Sequence, residues 1–471
     1  MPGLLATIGA EPSQLLPART QMAFTLGVHI ILVPLGVAFT FITLIANYRA
    51  IKRGDDDALL LAQRWSKVAA VLFAVGAVTG TVLSFELGLL WPGLMGKFGA
   101  AYGIPFAIEG IFFFLEAIFV AIYIYGWKRL KPWTHFWVGV PVVLAGIGGT
   151  LAVVAANAWM NQPGGFTLVD GKVTDVEPLK VIFNDAFWYE SIHMLLAAYL
   201  VAGFVVASVY AVAMLRGRTS RYHRLGFLIP FTVAAIAMPL QMFVGDLTAR
   251  AVFKDQPLKF AAIELVPRTG DHVPETIGGF YIDGKVVGPR IAIPGLASLL
   301  SDYSTSTEIT GFESVPERDR PPVNVVHLAW DVMIGIATML FALAAWFAFV
   351  WWRRRTIPKS RWFLRAAAVA GVASVVCMEA GWVVTEVGRQ PWIVYEVQRT
   401  VDAVTRSDGI WIVFGVTFFV YALVIAATVL VLRSMARRWR DADADDPMVP
   451  YGPRPVLAAS AEPVSGRAGV S

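Results

Sequence analysis

Only one cysteine, Cys377, occurs in the 471 residues, so no disulfide can form within the chain. The same scarcity excludes a Cys-x-x-Cys-His haem attachment and a cysteine-ligated iron–sulfur cluster. Cys377 itself lies in an apolar run and reads as packing. Charge is also sparse: Asp, Glu, Lys and Arg make up 15% of the residues, with a formal net charge of +5. Histidine is rarer still, six in all. There is no His-His pair and no helix with several histidines, so a copper centre coupled to haem lacks ligands.

What is abundant is apolar. Hydrophobic residues make up 57% of the chain and fall in blocks long enough to cross a hydrocarbon core of about 30 Å as helices. The pattern predicts an all-α polytopic membrane protein with about nine transmembrane helices. They are expected near residues 23–47, 68–92, 103–127, 134–158, 187–214, 226–246, 324–352, 362–386 and 409–433. The first is too long for a cleavable signal, and no Ala-x-Ala site follows it.

Lys and Arg in the connections set the orientation. One set runs through Arg49, Lys52, Arg53, Arg64 and Lys67, then Lys128 to Lys131, Arg216 to Arg224, Arg353 to Arg361 and Arg433 to Arg440. The alternate connections hold only Arg19, Lys97, Lys172, Lys180, Arg389, Arg399 and Arg406. The N-terminus is therefore expected outside and the C-terminus in the cytoplasm. This asymmetry accounts for the positive charge, and no nucleic-acid partner is needed.

Four regions follow: residues 1–246 with the first six helices, an outer segment 247–323, residues 324–440 with the last three helices, and a cytoplasmic tail 441–471. The tail is expected to be disordered, from its Asp run and scattered Pro and Gly. The outer segment is polar, rich in Pro and Gly, and too long for a mere connection. It reads either as a disordered loop or as a lid or binding loop, and its length and composition favour the second. Its first part, Phe253 to Glu264, is amphipathic and suits a helix lying on the membrane surface.

Inside the spans, ionisable groups are costly, and their default reading is functional. At 1.5 Å per residue, His29, Glu109, His193, Met333 and Glu379 all fall about 8–14 Å below the outer surface. Taken singly, each has a bland reading: a packed histidine, a core methionine, or a carboxylate of a transporter. Together, two His, a Met and two Glu at one depth look like axial donors to haem iron, and a His/Met pair suits a low-spin, electron-transferring haem. Glu116, seven residues after Glu109 on the same helix face and about 10 Å deeper, suits a proton relay. Glu86 ends a span at the outer level, where it reads as a haem-side or proton-carrying group. His135, His223, His272 and His327 read as structural or interfacial.

Several motifs carry a wider likeness: Gly388-Arg389-Gln390-Pro391-Trp392, Glu379-Ala380-Gly381-Trp382, Ala107-Ile108-Glu109-Gly110, Phe114-Leu115-Glu116, Ala156-Asn157-Ala158-Trp159-Met160 and the stretch Lys259–Glu264. On these, the chain from Arg19 to Arg433 resembles subunit I of the cytochrome bd-type quinol oxidases, in the form with a short quinol loop. The resemblance implies a quinol:oxygen oxidoreductase of the bacterial inner membrane. It would oxidise quinol at the outer face, reduce oxygen to water with cytoplasmic protons, and separate charge without pumping. It implies two haem b and one haem d, or a third haem b. It also implies a second hydrophobic subunit (subunit II) and a very small single-span one.

Carried over by position, His193 and Met333 are the axial pair of the low-spin haem b. His29 and Glu379 are ligands of the two high-spin haems, and Arg389 is a cofactor-binding residue. Glu109 is the acid beside the oxygen-reducing centre, Glu116 the next station of the proton path, and Lys259 with Glu264 the quinol-site pair. Three departures stand out. Asp331 occupies the place where some members have Arg, Glu109 and Glu116 are seven rather than eight apart, and Gly149 beside Thr150 stands where some have Ser. Without the resemblance, a proton-coupled transporter and a haem b protein that only relays electrons remain as alternatives.

Overall fold

A computed structural model describes residues 12–441. Among them, nine helices are long and apolar enough to span a membrane. In chain order these are α1 (Leu15–Arg53), α2 (Asp56–Leu90), α3 (Pro92–Gly126) and α4 (Pro132–Asn161). After a hairpin, β1 (Thr167–Val169) and β2 (Lys172–Thr174), and a short α5 (Pro178–Ile182), come α6 (Phe187–Leu215) and α7 (Arg221–Asp255). An elaborate segment follows: α8 (Pro257–Glu264), the hairpin β3 (Glu275–Ile282) and β4 (Lys285–Ile293), and α9 (Leu296–Asp302). Then come α10 (Val323–Arg354) and α11 (Arg361–Gly388). A last ribbon, β5 (Trp392–Val394) and β6 (Gln398–Arg399), and α12 (Thr400–Ala403) lead into α13 (Ile410–Asp441). The all-α expectation holds, and the strands form three two-stranded ribbons in the connections.

The helices run past the apolar spans expected from the sequence. α1, at 39 residues, is about 58 Å long, well beyond the hydrocarbon core, because polar residues continue a helix once it has left the lipid. Proline opens several elements where its missing N–H costs nothing: Pro92 in α3, Pro132 in α4 and Pro257 in α8. The segment 253–264, expected to lie as one helix on the membrane surface, does not. Pro257 breaks it after Asp255, and α8 is buried from Lys259 to Glu264. The tail beyond residue 441 lies outside the described residues.

Two groups of helices pack side by side. α1 packs on α2 and α4, and α3 on α4, while α6, α7, α10 and α11 form the second group, joined to the first through α1 and α6. About half of the most apolar stretch of α1, α4 and α6 is buried, against 6% for α3 and α13. The first three are therefore the centre of the bundle, and the last two face outward. An aromatic cluster of Phe204, Phe227, Phe231, Phe347 and Phe363 fills the second group. Phe231 stands 4.9 Å from Phe227 and 4.8 Å from Phe347.

The end of the bundle opposite the long loop is closed by Asp55, in the turn between α1 and α2. It caps α2 by accepting from the Ala58 N–H, and it binds Arg49 at 2.7 Å and Arg221 at 2.6 Å. Burial pushes its carboxyl up, but the hydrogen bonds from Arg221, Arg49 and Ala58 outweigh that and leave it below the usual aspartate range. A depressed pKa gives stability that is present above the unfolded value and lost as pH falls through the folded one. Asp55→Asn should therefore lower the thermal midpoint in detergent at pH 7, and the gap to wild type should close on acidification. A gap that stays constant down to pH 3 would refute this account.

Candidate functional site

Each of the four sequence-predicted iron donors faces a glycine on a neighbouring helix. A Cβ added at Gly80 of α2 would lie 3.0 Å from His29 Cε1, and one at Gly381 of α11 would lie 3.0 Å from Met333 Sδ. A Cβ at Gly245 of α7 would stand 3.5 Å from His193 Cε1, and one at Gly27 of α1 would stand 3.6 Å from Glu379 Oε2. Each glycine lets the donor side chain lie directly against a helix backbone.

The surroundings of His29 suit a ligand. Its Nδ1 lies 2.9 Å from Thr79 Oγ1, whose own hydroxyl proton goes to the Val75 or Gly76 carbonyl, both 3.1 Å away. Thr79 therefore accepts from Nδ1–H, which leaves Nε2 as the free donor. Tyr421, on α13, donates to the Thr79 carbonyl at 3.2 Å and steadies that turn. His193 has the Gln241 amide across its ring, 3.4 and 3.3 Å from its two nitrogens. Glu379 has one buried carboxylate oxygen with no partner, an arrangement that costs free energy unless a ligand completes it. Imidazole, thioether and carboxylate donors fit haem iron.

His29, Met333 and Glu379 share one level, since Glu379 reaches Gly27 two residues before His29, and Met333 reaches Gly381 two residues after Glu379. Glu109 is half-buried on α3. Glu116 stands against Gly146 of α4 and lines a small cavity of about 20 Å³ with Thr40, Thr43, Ser66 and Tyr123. That volume holds about one water. Glu86 has both oxygens occupied, by Gln21 Nε2 at 2.7 Å and Thr25 Oγ1 at 2.5 Å, and so fastens α2 to α1.

The structure separates Lys259 from Glu264. Five residues apart on α8, they point about 140° from one another. Lys259 packs on Gly388 at the end of α11, in the field of Arg389, Glu190 and Glu386. Burial, and then Arg389, pull its ammonium well below the ordinary lysine range, against the two acids. Glu264 lies instead on the wall of a cavity of about 340 Å³, with Arg268, Asp271, His272, Thr276 and Arg290. Burial, and then neighbouring Glu275, push its carboxyl well above the usual range, and one of its buried oxygens has no hydrogen-bond partner.

Sequence reasoning missed most of the network around Arg389. This guanidinium, 2% exposed, donates to Glu386 Oε2 at 2.5 Å and to Asn161 Oδ1 at 3.3 Å. Asn157 binds the other oxygen of Glu386, and Asn161 donates to Glu190 at 2.8 Å. Glu386 lies seven residues after Glu379 on the same face of α11, and that spacing was the available signal. Asp331, at the place where some members of the resembled family have Arg, accepts from the Gly278 N–H at 2.7 Å.

A membrane protein with nine spanning helices among the described residues, candidate iron donors within the bundle and a cavity at one end is the class that this fold and site define. A model of the family described as cytochrome bd terminal oxidase subunit I matches residues 17–439, and the chain belongs to that family. A putative cytochrome bd menaquinol oxidase subunit I of Bacillus subtilis (strain 168) is 36% identical over 424 residues, 88% of this chain and 95% of that one. A cytochrome bd ubiquinol oxidase subunit 1 of the same organism is 28% identical over 411 residues, 84% of this chain and 87% of that one. The structure of bd oxidase from Geobacillus thermodenitrificans superposes with a TM-score of 0.85 at 32% identity, covering 91% of this chain and 99% of that one. The resemblance read from the motifs is borne out. So are the terminal quinol oxidase function, the quinol:oxygen oxidoreductase activity and the multi-pass bacterial inner-membrane location. Haem cofactors, a quinol substrate and a subunit II partner follow with the family.

The glycine opposite His29 supplies a test. Gly80→Val should lower the haem-to-protein ratio of the purified complex. Gly76→Val, one turn away and facing open space, should leave it unchanged. Equal haem content in both variants would show that Gly80 does not border the site.

Proposed function

We propose that this chain holds two haem b and one haem d, or a third haem b, and oxidises quinol at the loop end with that end outside the cell. The carrying observation is the set of four donors, each beside a glycine, at mid-bundle. His193 and Met333 hold the low-spin haem between α6, α7, α10 and α11. His29 and Glu379 ligate the other two, and Arg389 steadies cofactor charge from the level above. Bound haem supplies the one-electron and oxygen chemistry.

The remaining steps belong to protein groups. Glu264 accepts a proton from quinol, because it lines the cavity, one of its oxygens has no partner, and burial raises its proton affinity. Lys259 sets the local charge. Glu116, with the hydroxyls of Thr40, Thr43 and Ser66 around one water-sized space, passes cytoplasmic protons toward Glu109. Subunit II covers an outward apolar face, and a very small single-span subunit completes the complex.

Three measurements test this reading. His29→Ala should abolish quinol-dependent oxygen uptake and remove one haem by pyridine haemochrome analysis; full activity and haem content would overturn the assignment. Glu379→Gln should likewise cost one haem. If Glu386→Gln strips haem while Glu379→Gln does not, the ligand is the acid two turns further along α11. An acceptor carboxyl with a raised pKa works only once deprotonated, so kcat/KM for quinol should rise with pH through that value. Glu264→Gln should flatten the rise, and an unchanged profile would remove Glu264 from the proton path.

A further inference from the structure

A two-stranded ribbon leaves one edge of each strand without partners. Along β3 that edge is closed by side chains of α10. Asn324, His327 and Asp331 are spaced three and four residues apart, so they share one helix face. Asn324 Oδ1 accepts from the Tyr281 N–H at 2.7 Å, and its Nδ2 donates to the Tyr281 carbonyl at 3.0 Å. Asp331 Oδ2 accepts from the Gly278 N–H at 2.7 Å. The imidazole of His327 lies 3.1 Å from the Gly278 carbonyl through Nε2. Through Nδ1 it lies 2.6 Å from the Ile263 carbonyl, in the last turn of α8. One buried ring thus stands between the orphan carbonyl of a helix end and the free edge of a strand, and its N–H donates to one of the two.

This edge matters because of what the hairpin walls off. Thr276 of β3 and Val286, Arg290 and Ala292 of β4 line the same cavity as Glu264. Two residues beyond Asp331, and about 200° round the helix, Met333 turns to Gly381 of α11. One face of α10 grips the cavity wall while another presents the thioether.

We propose that Asn324, His327 and Asp331 are positioning residues that hold the β3–β4 wall of the quinol cavity in register with the helix that carries Met333. The proposal rests on the quinol-oxidase reading of Glu264. None of the three needs to touch substrate or haem, since each acts through the backbone of β3 or α8.

The test uses the purified complex and two independent readouts. Asp331→Ala should raise the KM for quinol roughly tenfold with kcat nearly unchanged, the effect of leaving one buried backbone donor unpaired in the binding wall. Asp331→Asn retains an acceptor oxygen for the Gly278 N–H and should restore the KM. By hydrogen–deuterium exchange, the amides of Gly278 and Tyr281 should lose protection in Asp331→Ala and Asn324→Ala but keep it in Asp331→Asn. Haem content and the reduced-minus-oxidised spectrum should match wild type in all three. Retained protection in Asp331→Ala, an Asn variant as impaired as the Ala variant, or lost protection with an unmoved KM would each overturn the proposal. Absence of quinol oxidation in the wild-type complex would instead sink the reading beneath it, and would be seen before any variant is made.

Discussion

The Arg389 guanidinium, buried where α11 ends, is the interaction on which the loop end of the bundle depends. An ion removed from water costs several kcal/mol unless its partners are close and well aimed. Here Glu386 from its own helix and Asn161 from α4 accept from it, Asn157 of α4 holds Glu386, Asn161 donates to Glu190 of α6, and Lys259 of α8 adds a second cation. Gln256, at the break between α7 and α8, donates to both the carbonyl and the side chain of Asn161. Two cations and two carboxylates make the cluster formally neutral. No one of these helix ends can shift without uncovering a charge, so the network fixes their relative heights at the level above the iron donors.

That dependence explains which features could be seen in the sequence. Spans and the shared depth of His29, Met333 and Glu379 follow from hydropathy and from 1.5 Å per residue, quantities that survive projection onto one dimension. Glu386 was passed over because it sits near the span boundary, where an acid looks solvated, and only the side chains of α4 show otherwise. The hairpins were legible and still missed. Asp170-Gly171 and Asp283-Gly284 both adopt positive φ, the signature of a two-residue turn, yet each lies in a stretch whose polarity reads as loop. Lys259 and Glu264 were paired by motif, and helical geometry alone argued that they diverge.

The glycines beside the donors show a second limit. A glycine in a membrane helix has several uses, among them close helix crossings such as Gly203 against the Pro230 carbonyl. Gly27, Gly80, Gly245 and Gly381 look the same in sequence. They become distinct only when the structure sets a donor side chain opposite each one, so the signal is encoded pairwise between helices.

The separation of Lys259 from Glu264 also divides their labour. Lys259 is committed to the Arg389 cluster, and drawing it toward a substrate would leave Glu190 and Glu386 short of positive charge in a buried place. Glu264 carries no such commitment, since it lines a cavity and one of its oxygens has no partner. Proton acceptance therefore falls to the residue that can change charge without dismantling the scaffold. The lysine instead stays with the network holding α4, α6 and α11.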